Sequence, residues 1–302
     1  MPAETATVSY LGAIAEALVS EMEADPDVFL IGEDVGQFGG AFKVTRGLLD
    51  RFGPRRVVDS PIAESGFTGL ACGAALMGLR PVVEFQFADF VSCAFDQIVN
   101  NCAKHHYRTG NPIPVTFRAP FGARLRAGPT HSQSVEAYFA HIPGLKIVAP
   151  ATPQDAAGLL ISAIRDNNPV LYLESKYLYR RIEVPGPLSL DPVPIGSAKV
   201  VREGTKVSLL TYSVGVHQGL EAAGQLAAEG ISVEVVDLRT LVPLDVATIA
   251  ATVQEECFWR LDGPVVRIAG KNTPIPTSPA LEDAAVPQLA EIVSTLRRVA
   301  TT

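Results

Sequence analysis

Gly66-Phe-Thr-Gly-Leu-Ala-Cys-Gly-Ala-Ala-Leu-Met-Gly-Leu-Arg-Pro-Val-Val-Glu-Phe85 decides the fold class. Residues Gly66 to Met77 are small and apolar all round, as in a helix that packs closely against other backbone. Arg80-Pro81 breaks that pattern, and Val82 to Phe85 reads as a buried strand. The same change of period recurs in both directions. Upstream, Leu11, Ile14, Leu18 and Met22 lie at helical spacing within Tyr10 to Ala24, and Val28 to Ile31 follows as a strand. Downstream, Asp89 to Arg108 reads as a helix, while Val115 to Arg118 and Lys146 to Val148 read as strands. Thr152-Pro153 opens a helix running to Arg165, and Val170 to Glu174 is the next strand. Helices alternating with short apolar strands imply an α/β protein with a parallel sheet flanked by helices.

Four prolines, Pro185, Pro187, Pro192 and Pro194, crowd the segment from Arg181 to Pro194, which reads as a linker. A second α/β pattern follows: strand Lys206 to Tyr212, helix Val216 to Ala228 ending near Gly230, and strand Ser232 to Leu238. The chain therefore divides into a larger domain, residues 1–187, and a smaller one, residues 188–302.

Composition narrows the function. The 302 residues are 47% hydrophobic and carry 25 Lys+Arg against 32 Asp+Glu, a net charge of −7. Such a chain folds, and it lacks the basic stripe that nucleic acid requires. The strongly apolar run from Leu70 to Leu79 is interrupted by glycine and far shorter than the roughly 20 residues of a membrane span. Met1 to Tyr10 carries Glu4 and no basic residue, the wrong pattern for a secretory or transit peptide, so the cytoplasm is the expected location. Cys72, Cys93, Cys102 and Cys257 form no C-x-x-C pair and read as reduced, buried, apolar side chains rather than a zinc site.

Three places carry candidate chemistry. Glu64 precedes the small-residue helix, where it is either a first-turn carboxylate favoured by the helix dipole or a partly buried acid that bonds a cofactor nitrogen. Glu84-Phe-Gln-Phe-Ala-Asp-Phe90 brings Gln86 and three aromatics to a strand end, as core packing or as the wall of a heterocycle site. His131, in the polar loop Gly128-Pro-Thr-His-Ser-Gln-Ser134, is either a surface residue or a proton-transfer group, and Arg124 and Arg126 before it are placed to attract an anion.

Read in order, Gly32-Glu-Asp-Val-Gly36, Ser60-Pro-Ile-Ala-Glu-Ser-Gly-Phe67, Gly78-Leu-Arg-Pro-Val-Val-Glu-Phe-Gln-Phe-Ala-Asp89, Phe95-Asp-Gln-Ile-Val-Asn100, His131-Ser-Gln-Ser134, Pro143-Gly-Leu-Lys-Ile-Val148 and Leu238-Arg-Thr-Leu-Val-Pro-Leu-Asp245 resemble the β subunit of the thiamine-diphosphate-dependent 2-oxo acid dehydrogenase E1 component. The resemblance spans nearly the whole chain. It implies a pyrimidine-binding thiamine diphosphate domain followed by a transketolase C-terminal-like domain. It also implies assembly with a second β subunit and two α subunits as α2β2, and delivery of the acyl group to lipoyl-bearing E2. Glu64 falls on the family's cofactor-activating glutamate, which promotes the imino tautomer of the aminopyrimidine. Gln86, Phe87 and Phe90 fall on the pyrimidine pocket, Phe90 replacing a Tyr common in branched-chain members. His131 falls on the active-site histidine that assists proton handling or reductive acylation. The Gly-Asp-Gly motif that holds diphosphate through Mg2+ is absent here, and the family places it on the α subunit. Positions matching a monovalent cation site, such as K+, are Val115, Thr116, Ala163, Asp166 and Asn168, although Asp166 to Pro169 also reads as an ordinary turn.

Relatives carry a strand and a helix between the 238–245 motif and the final Arg-Ile-x-Gly segment. Here Val265 follows Asp245 after about 20 residues, so the smaller domain reads as short by one strand–helix unit of on the order of 30 residues. Glu84 to Phe90 and Leu173 to Arg180 lean toward branched-chain oxo acids, with pyruvate and acetoin dehydrogenases as alternatives. A split transketolase or deoxyxylulose-phosphate-synthase subunit would need more His and Arg for sugar phosphates. A non-catalytic scaffold would have no use for Glu64 and His131 together.

Overall fold

The computed structural model describes residues 7–253, 265–271 and 273–301. In chain order its first elements are β1 (Thr7–Ser9), α1 (Tyr10–Ala24), β2 (Val28–Gly32), α2 (Leu48–Phe52), β3 (Val57–Asp59), α3 (Glu64–Leu76) and β4 (Arg80–Glu84). A 3-10 helix at Ala88–Ala94 and a π-helical turn at Gln97–Cys102 lead to α4 (His105–Thr109) and β5 (Thr116–Phe121). Then come α5 (Glu136–Phe139), β6 (Lys146–Val148), α6 (Pro153–Arg165), β7 (Val170–Ser175) and β8 (Glu183–Pro185). Beyond them lie β9 (Lys199–Arg202), β10 (Val207–Thr211), α7 (Val214–Ala227), β11 (Val233–Asp237), β12 (Thr240–Val242), α8 (Val246–Val253), α9 (Pro279–Ala285) and α10 (Leu289–Thr301).

The main sheet has the order β12-β6-β7-β5-β4-β2-β3 and is parallel except for β12, which joins the edge strand β6 antiparallel. Its strands are apolar on both faces because helices cover both. Phe29, Ile31, Val83, Leu171 and Leu173 point into one core, under α3. Their neighbours Val28, Leu30, Val82, Val170 and Tyr172 point into the other, under α1 and α6. This period of two is what a doubly covered parallel sheet demands. The two covering helices start from side-chain caps: Ser9 accepts from the Gly12 N–H and Thr152 from the Asp155 N–H, each at 3.1 Å. The later elements form a smaller sheet, β10-β11-β9, packed against α7 and α10.

Expectation and structure differ at several places. The stretch expected as one helix from Asp89 to Arg108 is a 3-10 helix, a π turn and α4 in succession. Ala88, Val91 and Ala94 are buried at intervals of three, the repeat of a 3-10 helix, which explains the tighter winding. Nor does α3 pack closely all round. Phe67, Ala71, Cys72 and Ala75 enter the core, while Gly66, Leu70, Gly73 and Leu76 face outward. Cys72 and Cys102 are not separate thiols but a disulfide joining α3 to the π turn, and Cys93 is exposed rather than buried. Cys257, Trp259 and residues 1–6 lie outside the described residues. No described helix is long and apolar enough to cross a membrane.

Candidate functional site at the carboxyl ends of the sheet

Parallel strands aim all their carboxyl ends at one edge, and the loops leaving those ends gather there. Here β2 delivers Glu33 and Asp34, β3 leads through Ser60 to Glu64, β4 delivers Gln86, Phe87 and Asp89, β5 leads into the loop bearing His131, and β7 delivers Lys176. The exits are tied to one another. Gly36 N–H donates to Asp59 Oδ1 at 2.6 Å, and a β-carbon at Gly36 would stand 2.5 Å from the other oxygen of that carboxylate. Glycine is required for that approach.

Glu64 is the first residue of α3 and is half-buried, so it is both a first-turn acid and a member of the rim. Beside it, Glu33 is buried with Oε1 unpartnered among the described residues. Burial first, then the negative charges of Glu64 and Asp34, push the Glu33 carboxyl above the ordinary range. Asp34 accepts the Gln86 amide at 3.0 Å, which holds Gln86 toward the same rim.

The aromatics separate into two groups. Phe85 stays in the core against Phe67, whereas Phe87 and Phe90 turn out, 5.9 Å apart edge to face. The His131 ring stands nearly perpendicular to both, 4.6 Å from Phe87 and 5.4 Å from Phe90. Its Nδ1 meets Thr130 Oγ1 at 3.1 Å. The structure thus brings Phe87, Phe90 and His131 into one aromatic cluster, while Gln86 turns to Asp34, whose neighbour Glu33 feels the charge of Glu64.

Several groups here were missed by the sequence reading. Arg118 in β5 is fully buried and bonds Glu174 at the end of β7, Nη2 to Oε2 at 2.9 Å, and also Glu84 at the end of β4. Tyr179 donates to the same Glu174 oxygen at 2.8 Å. Burial pushes the Glu84 carboxyl up despite Arg118; in Arg118 itself the pull of burial downward is outweighed by Glu174 and Glu84. Lys176 is buried as well, its Nζ bonded to the His131 main-chain oxygen. The motifs containing Glu33, Glu84 and Lys176 were legible, but a buried charge shows only once strand order is known.

Two expected roles meet a different geometry. Arg124 and Arg126 are placed to attract an anion, but the anion is internal: Glu282 of α9 accepts the Arg124 N–H at 2.9 Å and Arg126 Nη1 at 2.6 Å. The cation set fits poorly. Val115 O accepts the Val170 N–H and Ala163 O the Asp166 N–H. The Asp166 carboxylate accepts from Asn168 N–H and pairs with Lys146, and Arg80 donates to the Asp166 main-chain oxygen. Thr116 is buried within β5. These acceptors already serve protein donors and two neighbouring cationic side chains. The 238–245 motif also has a structural part: Asp245 accepts from Ala198 N–H and Thr248 N–H, at 2.8 and 3.0 Å.

Residues 6–181 match the transketolase pyrimidine binding domain, and residues 196–254 the transketolase C-terminal domain. A pyruvate dehydrogenase E1 component subunit beta from Rickettsia conorii is 42% identical over 316 residues, covering 95% of this chain and 96% of the relative. The 2-oxoisovalerate dehydrogenase subunit beta of Bacillus subtilis is 44% identical over 304 residues, 91% of this chain and 93% of that one. A solved split-gene transketolase, described as an inactive beta4 tetramer, shares the fold with a TM-score of 0.74 at 21% identity, covering 97% of this chain and 98% of its own. Identity of that extent with relatives of two substrate types, over a chain whose strand ends converge as described, means that this protein belongs to the β subunits of 2-oxo acid dehydrogenase E1 components.

Proposed function

We propose that this chain, with an α subunit, decarboxylates a 2-oxo acid on thiamine diphosphate and passes the acyl group to lipoyl-bearing E2. The convergence of Glu64, Gln86, Phe87, Phe90 and His131 on one rim carries this reading. The residues fit the pyrimidine end of the cofactor: Phe87 and Phe90, edge to face, offer an apolar corner, and Glu64 with the Glu33 Oε1 that has no partner among the described residues offers acid groups for ring nitrogens. Among the described residues no three His, Cys, Asp or Glu side chains group as a metal site, and the diphosphate with Mg2+ is assigned to the α subunit. When bound, the cofactor supplies a carbon nucleophile and an electron sink.

Glu64 would hold a proton at the aminopyrimidine nitrogen, and Glu33, pushed up by burial and by the charges of Glu64 and Asp34, stands at its side as a second acid. Gln86 orients the ring edge. His131, fixed against two phenyl faces, moves a proton at the oxo-acid oxygen during acyl transfer. The outward face of α3 exposes Leu70 and Leu76, and Ile62 before the helix and Met77 after it are exposed at 82% and 85%, a contact for the partner whose cofactor half must meet this rim. The apolar wall favours a branched-chain tail, with pyruvate as the second reading, because the two relatives named above divide between 2-oxoisovalerate and pyruvate dehydrogenases by their names. The shortened smaller domain is part of the same proposal, since the alignment with the Rickettsia subunit spans 316 positions yet takes in only 95% of the 302 residues here.

Co-expression with an α subunit, followed by sizing and by thiamine-dependent decarboxylation of 3-methyl-2-oxobutanoate beside pyruvate, tests this reading. A 2:2 complex that turns over the branched acid faster supports it. A complex that turns over neither acid refutes it.

A further inference from the structure

Lys176 follows β7 at the rim, 3% exposed. A cation so enclosed is costly unless it is paired and hydrogen-bonded. Its Nζ donates to the His131 main-chain oxygen at 2.8 Å and lies 5.1 Å from the centroid of the Phe87 ring. Burial lowers its pKa to about 8, opposed by the charge of Asp89, which faces it. Asp89 is buried too. Its Oδ1 accepts the Gln133 N–H at 3.1 Å, and Oδ2 has no partner among the described residues. Two opposite charges from separate elements therefore grip the same short segment, one by the carbonyl of His131 and the other by the amide of Gln133. Gly122 N–H, donating to Gln133 O at 3.0 Å, closes the loop behind it.

A clamp on main-chain atoms fixes where the segment stands without engaging the imidazole of His131, whose contacts are with Thr130, Phe87 and Phe90. We propose that Lys176 and Asp89 form this clamp, and that Lys176 is a positioning residue for the proton-transfer role of His131. The inference rests on the function proposed above, and its test separates the two.

The test compares Lys176→Met and Lys176→Arg with wild type in the αβ holoenzyme. Hydrogen exchange over residues 129–135 is read first, because it needs no activity. Exchange should quicken about tenfold or more in Lys176→Met and much less in Lys176→Arg, since the opening free energy of a segment sets its exchange. Turnover is read second: kcat for acylation of a lipoyl acceptor should fall about tenfold, with KM for the oxo acid within about twofold of wild type. Asp89→Asn keeps an acceptor for Gln133 and removes only the charge facing Lys176, so it should move the alkaline limb of the rate profile to lower pH; this variant decides the matter if Lys176→Met does not assemble. Exchange unchanged in the variants overturns the clamp, and faster exchange with unchanged kcat overturns the positioning role. A wild-type holoenzyme that decarboxylates neither oxo acid defeats the functional reading alone, and the exchange rates still decide the clamp.

Discussion

Glu282, buried in α9 near the end of the chain, holds the loop before His131 by the Arg124 N–H at 2.9 Å and the Arg126 guanidinium at 2.6 Å. Both arginines have left-handed backbone, φ +78° and +60°, which non-glycine residues adopt only when their surroundings enforce it. One carboxylate from the smaller region therefore fixes the shape of a loop in the larger one. Glu282→Ala leaves the Arg124 N–H without its acceptor and should cost about 1–3 kcal/mol in denaturant unfolding. It should also raise hydrogen exchange across residues 123–128. A variant with wild-type midpoint and exchange would show that the loop holds its shape unaided.

Glu64→Gln is isosteric but cannot take up and return a proton. Loss of a positioned proton-transfer group costs about 10²- to 10⁴-fold in rate. The reconstituted complex should lose turnover on that scale, with cofactor affinity and unfolding midpoint little changed. Wild-type turnover would remove Glu64 from the chemistry.

The alternation of helix and strand was legible because parallel strands covered on both faces have apolar centres, and β2, β4 and β7 carry Val28 to Ile31, Pro81 to Val83 and Val170 to Leu173. Gln86, Phe87 and His131 stood out through the resemblance, because by themselves a strand end rich in aromatics and a polar loop histidine read equally as core packing and surface. Other features depend on contacts far apart in sequence. The Cys72–Cys102 disulfide needs α3 to lie on the π turn, and the pairing of Arg118 with Glu84 and Glu174 needs β5 to lie between β4 and β7. Lys176 reads as one more charge after a strand until burial shows what it touches. The 89–108 stretch misled for a local reason: repeats of three and four alternate there, and their average resembles an α-helix.

Arg118 sits between two carboxylates in the middle of the sheet, and all three groups are buried. Replacing one member of such a set strands the others. Arg118→Met should destabilise the chain by about 3–5 kcal/mol, because two buried carboxylates lose the cation that pairs with both. The triple change to Met at Arg118 and Gln at Glu84 and Glu174 removes every charge and should recover part of that loss. Thermal or urea unfolding of the two variants reads both effects, and equal destabilisation by both would mean that packing, not charge, is what Arg118 supplies.

Asp237, at the end of β11, is fully buried; its Oδ1 accepts the Arg239 N–H at 3.0 Å while Oδ2 is unpartnered among the described residues. Burial, against the pull of the Arg239 N–H and with the repulsion of Asp155 added, raises its pKa from 3.8 to about 7. The folded chain thus keeps a proton that the unfolded chain releases near pH 4. Stability linked to this group is full below the unfolded value, falls as pH rises, and levels off above the folded value. Asp237→Asn carries a neutral amide at every pH and keeps an acceptor for Arg239. Its unfolding free energy relative to wild type should therefore climb between about pH 4 and pH 7, by as much as a few kcal/mol, and stay constant above. Taking the difference cancels the other titrating groups, which both proteins share. Parallel pH curves for variant and wild type would mean that Asp237 folds already ionised, with Arg239 and Lys199 carrying its charge.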